Sequence, residues 1–160
     1  MPNEIRFYRV NESYGCFSNF SPHPIVLDDV TWPTSEHYFQ AQKFLDRDYQ
    51  RRIAGVQSPM IAARMGRSRS KPIRTDWEEA KDNVMRKAVR AKVMQHSDVR
   101  ETLLSTGDAV IIEATTKDNY WGEGSDGSGK NMLGKILMEV RTELVEGKNA
   151  LCAANDSMTR

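Results

Sequence analysis

Three residues near position 36 have side chains that could act together as an acid, an amide and an amine. Glu36, Gln40 and Lys43 stand at i, i+4 and i+7, so on a helix they would project from one stripe. Periodicity alone, however, favours a solvated polar face with a Glu–Lys pair, which contributes only about 0–1 kcal/mol to stability. The opposite face would be anchored by Tyr38, Ala41, Phe44 and Leu45.

A basic run follows in a segment that contains serines and a glycine. Its members, which have no acidic residue between them, are Arg64, Arg67, Arg69, Lys71 and Arg74. Guanidinium groups match phosphate oxygens with paired hydrogen bonds, so the run could clamp a phosphate or pyrophosphate. A solvated charged loop explains it equally well, although cations at this density repel one another without an anion.

A carboxylate and two aromatic rings come after the clearest predicted strand. Asp118, Tyr120 and Trp121 are followed by Gly122 and Gly124. Such a loop often forms a pocket wall, in which the rings could stack a base and the glycines let the backbone come close. The alternative is an aromatic turn that closes the core.

The next segment, Gly124 to Asn131, nearly fits the phosphate-binding loop of nucleotide hydrolases. Asn131 stands where that motif needs a hydroxyl for magnesium, and the preceding strand ends too early to feed the loop. We therefore do not expect an NTPase, although the segment could present backbone N–H groups to an anion at a helix start. The sequence has no HExxH motif or Cys/His cluster, so no metal is expected.

The elements that must position these residues are mostly helices. Helices are expected from Thr34 or Ser35 onward and over residues 48–56, 58–66, 76–95, 97–106 and 131–145. Strands are expected over residues 5–10 and 109–115, with a hairpin over residues 24–32. We predict one compact domain over residues 1–147, of the α+β class and mainly α-helical, and a frayed tail over residues 148–160.

Composition limits the classes of protein further. The chain has 160 residues and a net charge of +1, so any phosphate binding must be local rather than due to bulk charge. Residues 1–10 do not resemble a signal peptide, and no apolar run approaches the roughly 18 residues of a membrane span. Cys16 and Cys152 lie far apart and are expected as free thiols, which suits a reducing, cytoplasmic location.

Five segments taken together resemble the NADAR (YbiA-like) N-glycosidase family, and especially its bacterial YbiA-type branch. The match in order and spacing covers roughly residues 7–145. The segments are YGCFSNF at 14–20, WPTSEHYFQAQKF at 32–44, AARMGR at 62–67, DNYWG at 118–122 and GKNMLGKILM at 129–138.

The resemblance implies a compact, mainly helical fold and cleavage of N-glycosidic bonds. One branch of the family acts on early riboflavin-pathway intermediates, in which ribose 5-phosphate is joined to a pyrimidine through an exocyclic amine. Another removes ADP-ribose from the guanine amino group, including in DNA. The family's functional residues would fall on Glu36, Lys43, Trp77 and Asp118. No cofactor and no membrane partner are expected, and the oligomeric state is left open.

As a mechanism, we expect Glu36 to stabilise oxocarbenium character on the ribose. Asp118 would hold the ribose hydroxyls or the attacking water, and Trp77 would stack the base. Lys43 permits a second route, in which its amine displaces the departing amine and forms a Schiff base. The phosphate would be held by Arg64, Arg67 and Lys71, and further substrate contacts are expected from Asn19, Phe20, Trp32, Gln40, Tyr120 and Trp121.

Two other functions stay open on sequence grounds. A non-catalytic module that binds ADP-ribose or NAD would use the same contacts, and only cleavage of the ligand distinguishes the two. A helical nucleic-acid-binding protein could use the basic run over residues 64–74. It would bind plain DNA with a steep salt dependence.

Overall fold

The computed structural model describes the backbone of residues 3–158 and the side chains of residues 3–147. Its strands are β1 (Glu4–Phe7), β2 (Ile25–Leu27), β3 (Val30–Trp32) and β4 (Val110–Glu113). Its helices are α1 (Ser35–Ala41), α2 (Arg47–Gly55), α3 (Pro59–Arg67), α4 (Trp77–Gln95), α5 (Ser97–Ser105) and α6 (Met132–Met158). The predicted α+β, mainly helical class is therefore confirmed.

The four strands form two separate pairs. β1 runs parallel to β4, with Phe7 in register with Glu113. β2 and β3 form the expected hairpin, and Asp28 and Asp29 at its turn have φ angles of 55° and 62°. Two successive left-handed residues match the twist of a two-residue hairpin turn, and aspartate tolerates that conformation better than most residues.

Two clusters of buried apolar side chains form the core. The first packs α4, α5 and α6 against the β1–β4 pair and includes Phe39 and Trp77. The second joins the hairpin to α1, α2 and α3 and includes Trp32 and Tyr38. Helix α1 contributes side chains to both clusters, so it is fixed from two sides.

α1 ends sooner than the sequence suggested. Tyr38, Ala41 and Phe44 are buried as expected, but the chain tightens after Ala41, where the Phe44 N–H donates to the Ala41 carbonyl at 3.1 Å. Phe44 then forms an isolated antiparallel bridge with Ile73. Leu45 was expected on the anchoring face, and that prediction is wrong because its side chain is 75% exposed.

α6 continues further than expected, through Gly147 to Met158 instead of ending near Val145. Glycine costs a helix only about 1 kcal/mol, and the alanines and leucine that follow favour helix. The fraying of residues 148–160 stays a prediction. Cys16 is a free thiol, as expected, whereas the side chain of Cys152 lies outside the described residues.

Among the residues that the structure describes, no helix combines the length and the hydrophobicity needed to cross a bilayer.

Candidate active site

Helix α1 is buried along its whole length. Its start is fixed from two sides, because the Thr34 hydroxyl accepts the His37 N–H at 3.3 Å and the Asn19 carbonyl accepts the Glu36 N–H at 3.1 Å. Glu36 is 9% exposed and Gln40 is 7% exposed. The interpretation of this stripe as a solvated polar face is therefore wrong, since an acid and an amide are enclosed here.

Within this enclosure, Glu36 accepts a hydrogen bond from Gln40 Nε2 at 2.7 Å. Burial raises the pKa of Glu36 above the ordinary carboxyl value, and the charge of Asp118 raises it further. The Gln40 bond and the nearby Lys43 and Arg67 oppose that rise. Glu36 is thus a weak acid that stands close to two cations and a second carboxylate.

Helix α3 meets α1 at Gly66, where the space admits no side chain. A Cβ atom at this position would lie 1.8 Å from Gln40 Oε1. That oxygen is buried and accepts no hydrogen bond from any described residue. Since an unsatisfied buried acceptor costs about 1–3 kcal/mol, the Gln40 oxygen is an atom that a bound ligand could satisfy.

Lys43 lies just beyond the end of α1, and its carbonyl accepts the Arg74 N–H at 2.7 Å. Its ammonium nitrogen is 5.9 Å from the centre of the Phe39 ring and 6.0 Å from that of Trp77. Burial lowers the pKa of Lys43, and the nearby Arg69 adds to the lowering, whereas Glu36 opposes it. A larger fraction of neutral amine is therefore available here than on an exposed lysine.

Three aromatic rings form one wall beside the Lys43 amine. The ring centres of Phe39 and Trp77 are 5.1 Å apart, and those of Phe39 and Trp121 are 5.2 Å apart in an edge-to-face arrangement. Trp77 is the first residue of α4 and is 7% exposed, while Trp121 is half-buried. The wall therefore brings α1, α4 and the loop after β4 together.

The loop after β4 carries Asp118 into this region. Asp118 Oδ1 accepts the N–H groups of Tyr120 and Trp121, both at 2.9 Å, and these bonds fix the carboxylate. The loop also folds back onto the strand, because the Glu123 N–H donates to the Glu113 carbonyl at 3.0 Å. Asp118 is close enough to raise the pKa of both Glu36 and Glu113.

Glu113 is a third carboxyl group in this region, and the sequence analysis did not select it. Burial, followed by the charges of Asp118 and Glu36, raises its pKa from 4.5 to about 7. Its Oε2 atom is buried and accepts no hydrogen bond from the side chains or backbone that the structure describes. Ile111 and Glu113 are two positions apart, so both project from the same face of a strand. That spacing was the signal that could have identified Glu113.

The basic run divides into two parts. Arg67 and Arg69 come close enough to Lys43 to lower its pKa, and Arg67 also acts on Glu36. Arg64 is solvent-exposed on α3, and no described hydrogen bond or ion pair engages its guanidinium group. This part of the run supplies positive charge beside the enclosed acid.

The second part of the run is paired with acids. Lys71 Nζ lies 3.4 Å from Asp46 Oδ2. Arg74 donates two hydrogen bonds to Asp76, at 2.6 and 2.8 Å. The role of the run as a phosphate clamp stays a prediction, and it is Arg69 and Arg67 that act on the Lys43 amine.

Trp32 lies apart from the other residues expected to bind substrate. Its indole N–H donates to the Leu27 carbonyl at 3.3 Å, and its ring packs against Tyr38 in the second core cluster. Together with Arg74, it lines a cavity of about 540 Å³ between the hairpin and α2. The lining of this cavity does not include Glu36, Lys43 or Trp77.

Tyr120 faces α4. Its hydroxyl donates to Asp82 Oδ1 at 2.5 Å, and Lys81 Nζ lies 3.9 Å from the ring centre. Burial and the Asp82 bond raise the pKa of Tyr120 to about 12. The ring is 4.9 Å from that of Trp121, so Tyr120 supports the aromatic wall from behind.

Asn19 and Phe20 adjoin the start of α1. Asn19 Oδ1 accepts the Ser35 hydroxyl at 2.8 Å, so this side chain positions the helix that carries Glu36. Phe20 is half-buried, and its N–H donates to the Ser18 hydroxyl at 3.2 Å.

The start of α6 is already occupied by the chain's own backbone. The N–H groups of residues 130, 132 and 133 donate to the carbonyls of residues 119, 120 and 121 at 2.8, 3.0 and 3.1 Å. These N–H groups are therefore not free to bind the anion that this helix start could have held. Asn131, which departs from the phosphate-loop motif, instead bonds through its side chain to the Glu113 N–H and the Ile111 carbonyl.

One group of side chains with metal-ligand chemistry lies elsewhere. His23, His96 and Asp98 have ligand atoms within 4.8 Å of one another. His23 Nε2 lies 2.8 Å from Asp98 Oδ2, and its Nδ1 lies 3.0 Å from the Ser21 hydroxyl. These contacts account for the group as an anchor between the loop before β2 and the start of α5.

This arrangement of fold and site belongs to a known class of protein. The NADAR domain matches residues 6–145, and the chain is a member of the NADAR family. The predicted resemblance is thereby confirmed.

Individual relatives carry the comparison further. N-glycosidase YbiA of Escherichia coli is 58% identical over 140 residues, which cover 88% of each chain. An N-glycosidase of Nostoc punctiforme is 46% identical over 143 residues, which cover 88% of this chain and 92% of the relative. A riboflavin biosynthesis protein of Vibrio vulnificus is 42% identical over 146 residues, which cover 91% of this chain and 40% of that longer protein.

A solved structure agrees with the fold. The NMR structure of Escherichia coli YbiA superposes with a TM-score of 0.86 at 56% identity and covers 92% of this chain and 89% of that one. The expected compact YbiA-like fold is confirmed.

Proposed function

We propose that this chain is an N-glycosidase that hydrolyses the C–N bond between a phosphorylated ribose and an amino-substituted base. The observation that carries the proposal is the burial of Glu36 close to the amine of Lys43, which itself lies 6.0 Å from the centre of the Trp77 ring. A buried acid, a desolvated amine and an aromatic wall suit a substrate that has a sugar, a leaving amine and a flat base. The names of the YbiA relatives support the same reaction.

Glu36 would stabilise the ribose as the C–N bond lengthens and the anomeric carbon gains positive charge. A carboxylate in a low-dielectric enclosure interacts with such a charge far more strongly than one in water. The Gln40 amide would hold that carboxylate in place through its 2.7 Å bond. Asp118, whose Oδ1 is already held by two backbone N–H groups, would use Oδ2 to orient the water.

The phosphate would bind at Arg67 and Arg69, with Arg64 at the exposed edge. Arg64 and Arg67 belong to the last turn of α3, Arg69 follows it, and Arg67 and Arg69 act on the Lys43 amine. Lys71, expected for this role from the sequence, would be released from Asp46 only at the loss of an ion pair. The base would lie against the wall formed by Trp77 and Trp121.

Two substrates fit this chemistry, namely an early riboflavin-pathway intermediate and ADP-ribosylated guanine. Both contain a phosphorylated ribose and an exocyclic amine. The Vibrio vulnificus relative, named as a riboflavin biosynthesis protein, supports the first. The pairing of Arg67 with Arg69 offers enough positive charge for either a monophosphate or a diphosphate, and the cytoplasmic location expected from the sequence suits both.

The test offers both substrates to the wild-type protein and to Glu36→Gln. Release of ribose 5-phosphate and of ADP-ribose is followed by mass spectrometry, and we expect the wild-type protein to release at least one of them. Glu101→Gln removes an exposed carboxylate from α5 and serves as the matched control, with unchanged turnover. If the wild-type protein binds both substrates and returns them intact, the chain is a binding module and the proposal fails.

A further inference from the structure

We propose that Glu113 is the acid that protonates the departing amine, a role that rests on the N-glycosidase activity proposed above. An amine leaves poorly unless it gains a proton, so the reaction needs a donor as well as a group that stabilises the sugar cation. The roles given to Glu36 and Asp118 leave the donor unassigned. Glu113 lies in the same region, and its carboxyl group has a buried oxygen that no described residue uses as a hydrogen-bond partner.

The direction of the Glu113 side chain follows from its place in β4. Side chains alternate along a strand, so Glu113 projects on the same side as Ile111. Ile111 is completely buried in the cluster that holds Phe39 and Trp77. Phe7, which pairs with Glu113 in β1, is buried in that same cluster. The carboxyl group is therefore on the face of β4 that packs against the cluster containing Phe39 and Trp77.

The main chain of Glu113 is hydrogen-bonded, whereas the buried Oε2 atom of its side chain has no partner among the described residues. Its backbone N–H donates to Asn131 Oδ1 at 2.9 Å and its carbonyl accepts the Glu123 N–H at 3.0 Å, so the main chain is fixed. Within the described part of the chain, nothing donates to or accepts from the buried Oε2 atom. The residue as a whole keeps partial exposure, so the carboxyl stands at the edge of the core. The fold gains no hydrogen bond from Oε2, and the partial exposure of Glu113 would let a substrate nitrogen reach its carboxyl group.

The charges around Glu113 favour its protonated form. Glu36 on α1 and Asp118 in the loop are both acidic and both raise its pKa, after burial itself. Arg6 of β1 projects from the other face of the strand pair and bonds to Glu123 of the loop. The α6 residues that share the first core cluster with Ile111, such as Leu133, are apolar. No described cation lowers the pKa of Glu113 itself, so Glu113 keeps its proton to a higher pH than an exposed glutamate.

The step balances in atoms and electrons. The C–N bond breaks, its electron pair goes to nitrogen, and the nitrogen takes the proton from the Glu113 carboxyl. Water adds to the anomeric carbon and gives a proton to Asp118, and solvent exchange then restores both side chains. If Lys43 attacks in place of water, its amine gives a proton to Asp118 while Glu113 protonates the same leaving nitrogen, and water then hydrolyses the Lys43–sugar bond and restores the amine.

The experiment compares Glu113→Gln with the wild-type protein on two leaving groups. The first substrate is a ribosylamino-pyrimidine 5′-phosphate, and the second is p-nitrophenyl ribofuranoside 5-phosphate, whose phenolate leaves without a proton. We expect a loss of about 10²- to 10⁴-fold on the amine and less than about fivefold on the phenolate. Glu36→Gln should lose activity on both. Glu123→Gln, in the loop after β4 and paired with Arg6, should leave both rates unchanged.

The pH profile on the amine substrate provides a second measurement. Wild-type kcat/KM should fall as pH rises above about 7 and Glu113 loses its proton, and Glu113→Gln should lack this limb. The substrate phosphate titrates with either enzyme, so only the limb that the variant lacks belongs to Glu113. Equal losses on both substrates, or a limb that persists in the variant, would overturn the role of Glu113 while the N-glycosidase stands. If the wild-type protein does not cleave the phenolate substrate, the pH profile on the amine substrate tests the role of Glu113 by itself. A wild-type protein that cleaves neither of these substrates nor ADP-ribosylated guanine removes the proposed function itself.

Discussion

The protein buries charged groups in two regions and satisfies them in different ways. In the region that supports α4, α5 and α6, Lys92 donates to the Ser18 carbonyl at 2.8 Å. Arg141 donates to the Thr106 hydroxyl and the Ala109 carbonyl, both at 2.8 Å. Every one of these contacts joins two segments of the chain, so the buried cations act as structural ties.

Around α1 the pattern is the reverse. Gln40 Oε1 and Glu113 Oε2 are buried, yet neither has a hydrogen-bond partner among the described residues. Burial and the charge of Asp118 raise the pKa of Glu36, and burial together with the charges of Asp118 and Glu36 raises the pKa of Glu113. The comparison teaches that a buried polar side chain does not by itself identify a functional site. A buried polar side chain whose atoms lack hydrogen-bond partners is a better indicator.

The largest expected effect is on turnover in Glu36→Gln. Replacing the carboxyl by an amide of the same shape should lower kcat at least about 10³-fold, because the charge that stabilises the sugar cation is lost. The midpoint of thermal unfolding should stay within about 3 °C, because the enclosure keeps its shape. Steady-state kinetics and calorimetry on one preparation check both. Near wild-type turnover would contradict the assignment.

A covalent adduct tests Lys43. If its desolvated amine forms a Schiff base, borohydride added during turnover should trap a ribose phosphate or ADP-ribose adduct that mass spectrometry detects. Lys43→Ala should remove the adduct and lower turnover about 100-fold or more. The exposed Lys135 on α6 provides the control, because Lys135→Ala should trap as the wild-type protein does. Absence of any adduct during active turnover leaves direct hydrolysis as the route.

The stability of the protein should depend on pH through Glu113. Its folded-state pKa of about 7 exceeds the ordinary value of 4.5, so its contribution to the free energy of unfolding is largest below about 4.5 and is lost as pH rises through about 7. The loss should reach about 2–3 kcal/mol. Denaturant titrations of the wild-type protein and Glu113→Gln at pH 4.5 and 8 give the difference. A gap between the two proteins that does not change with pH would contradict the raised pKa.

A variant that removes a structural tie should lose stability and keep its turnover, whereas a variant of the site should lose turnover and keep its stability. Arg141→Met removes two hydrogen bonds from buried acceptors and should lower the free energy of unfolding by about 2 kcal/mol. The specific activity of the folded fraction should be unchanged, because Arg141 has no role in the proposed reaction. Urea unfolding and kinetics at low temperature measure the two quantities. A fall in kcat with unchanged stability would erase the distinction between the regions.

The smallest effect is expected at the surface. Arg90 bonds to Glu143 at 2.7 and 2.9 Å, but both side chains are nearly half exposed. Arg90→Ala should therefore cost less than about 1 kcal/mol and leave turnover unchanged. A larger loss would mean that exposed pairs, and not only the buried ties, hold α4 against α6.

The sequence predicted most helices and the hairpin, because capping residues and turn residues act locally. Ser58 accepts the Ile61 N–H at 3.4 Å as its position before Pro59 suggested, and Asp28 and Asp29 form the turn. The end of α1 was not predictable in this way. It depends on the bridge between Phe44 and Ile73, which local propensity does not contain.

The site was only partly predictable. The stripe of Glu36, Gln40 and Lys43 was visible, but its burial comes from α3 packing at Gly66, a contact between distant segments. Glu113 was missed because β4 looked like an apolar strand, and an acid within it gains meaning only beside Glu36. The roles of these residues stay proposals until the variants are measured.

The pairing of β1 with β4 has a consequence for the order of assembly. Arg6 of β1 bonds to Glu123 of the loop after β4, and these two residues are 117 positions apart in the chain. Closing so long a loop is slow compared with forming a hairpin or a helix. As the chain leaves the ribosome, the hairpin and α1 can form early, but the first strand must wait for its neighbour. Newly made protein would therefore stay inert until nearly all of it has emerged.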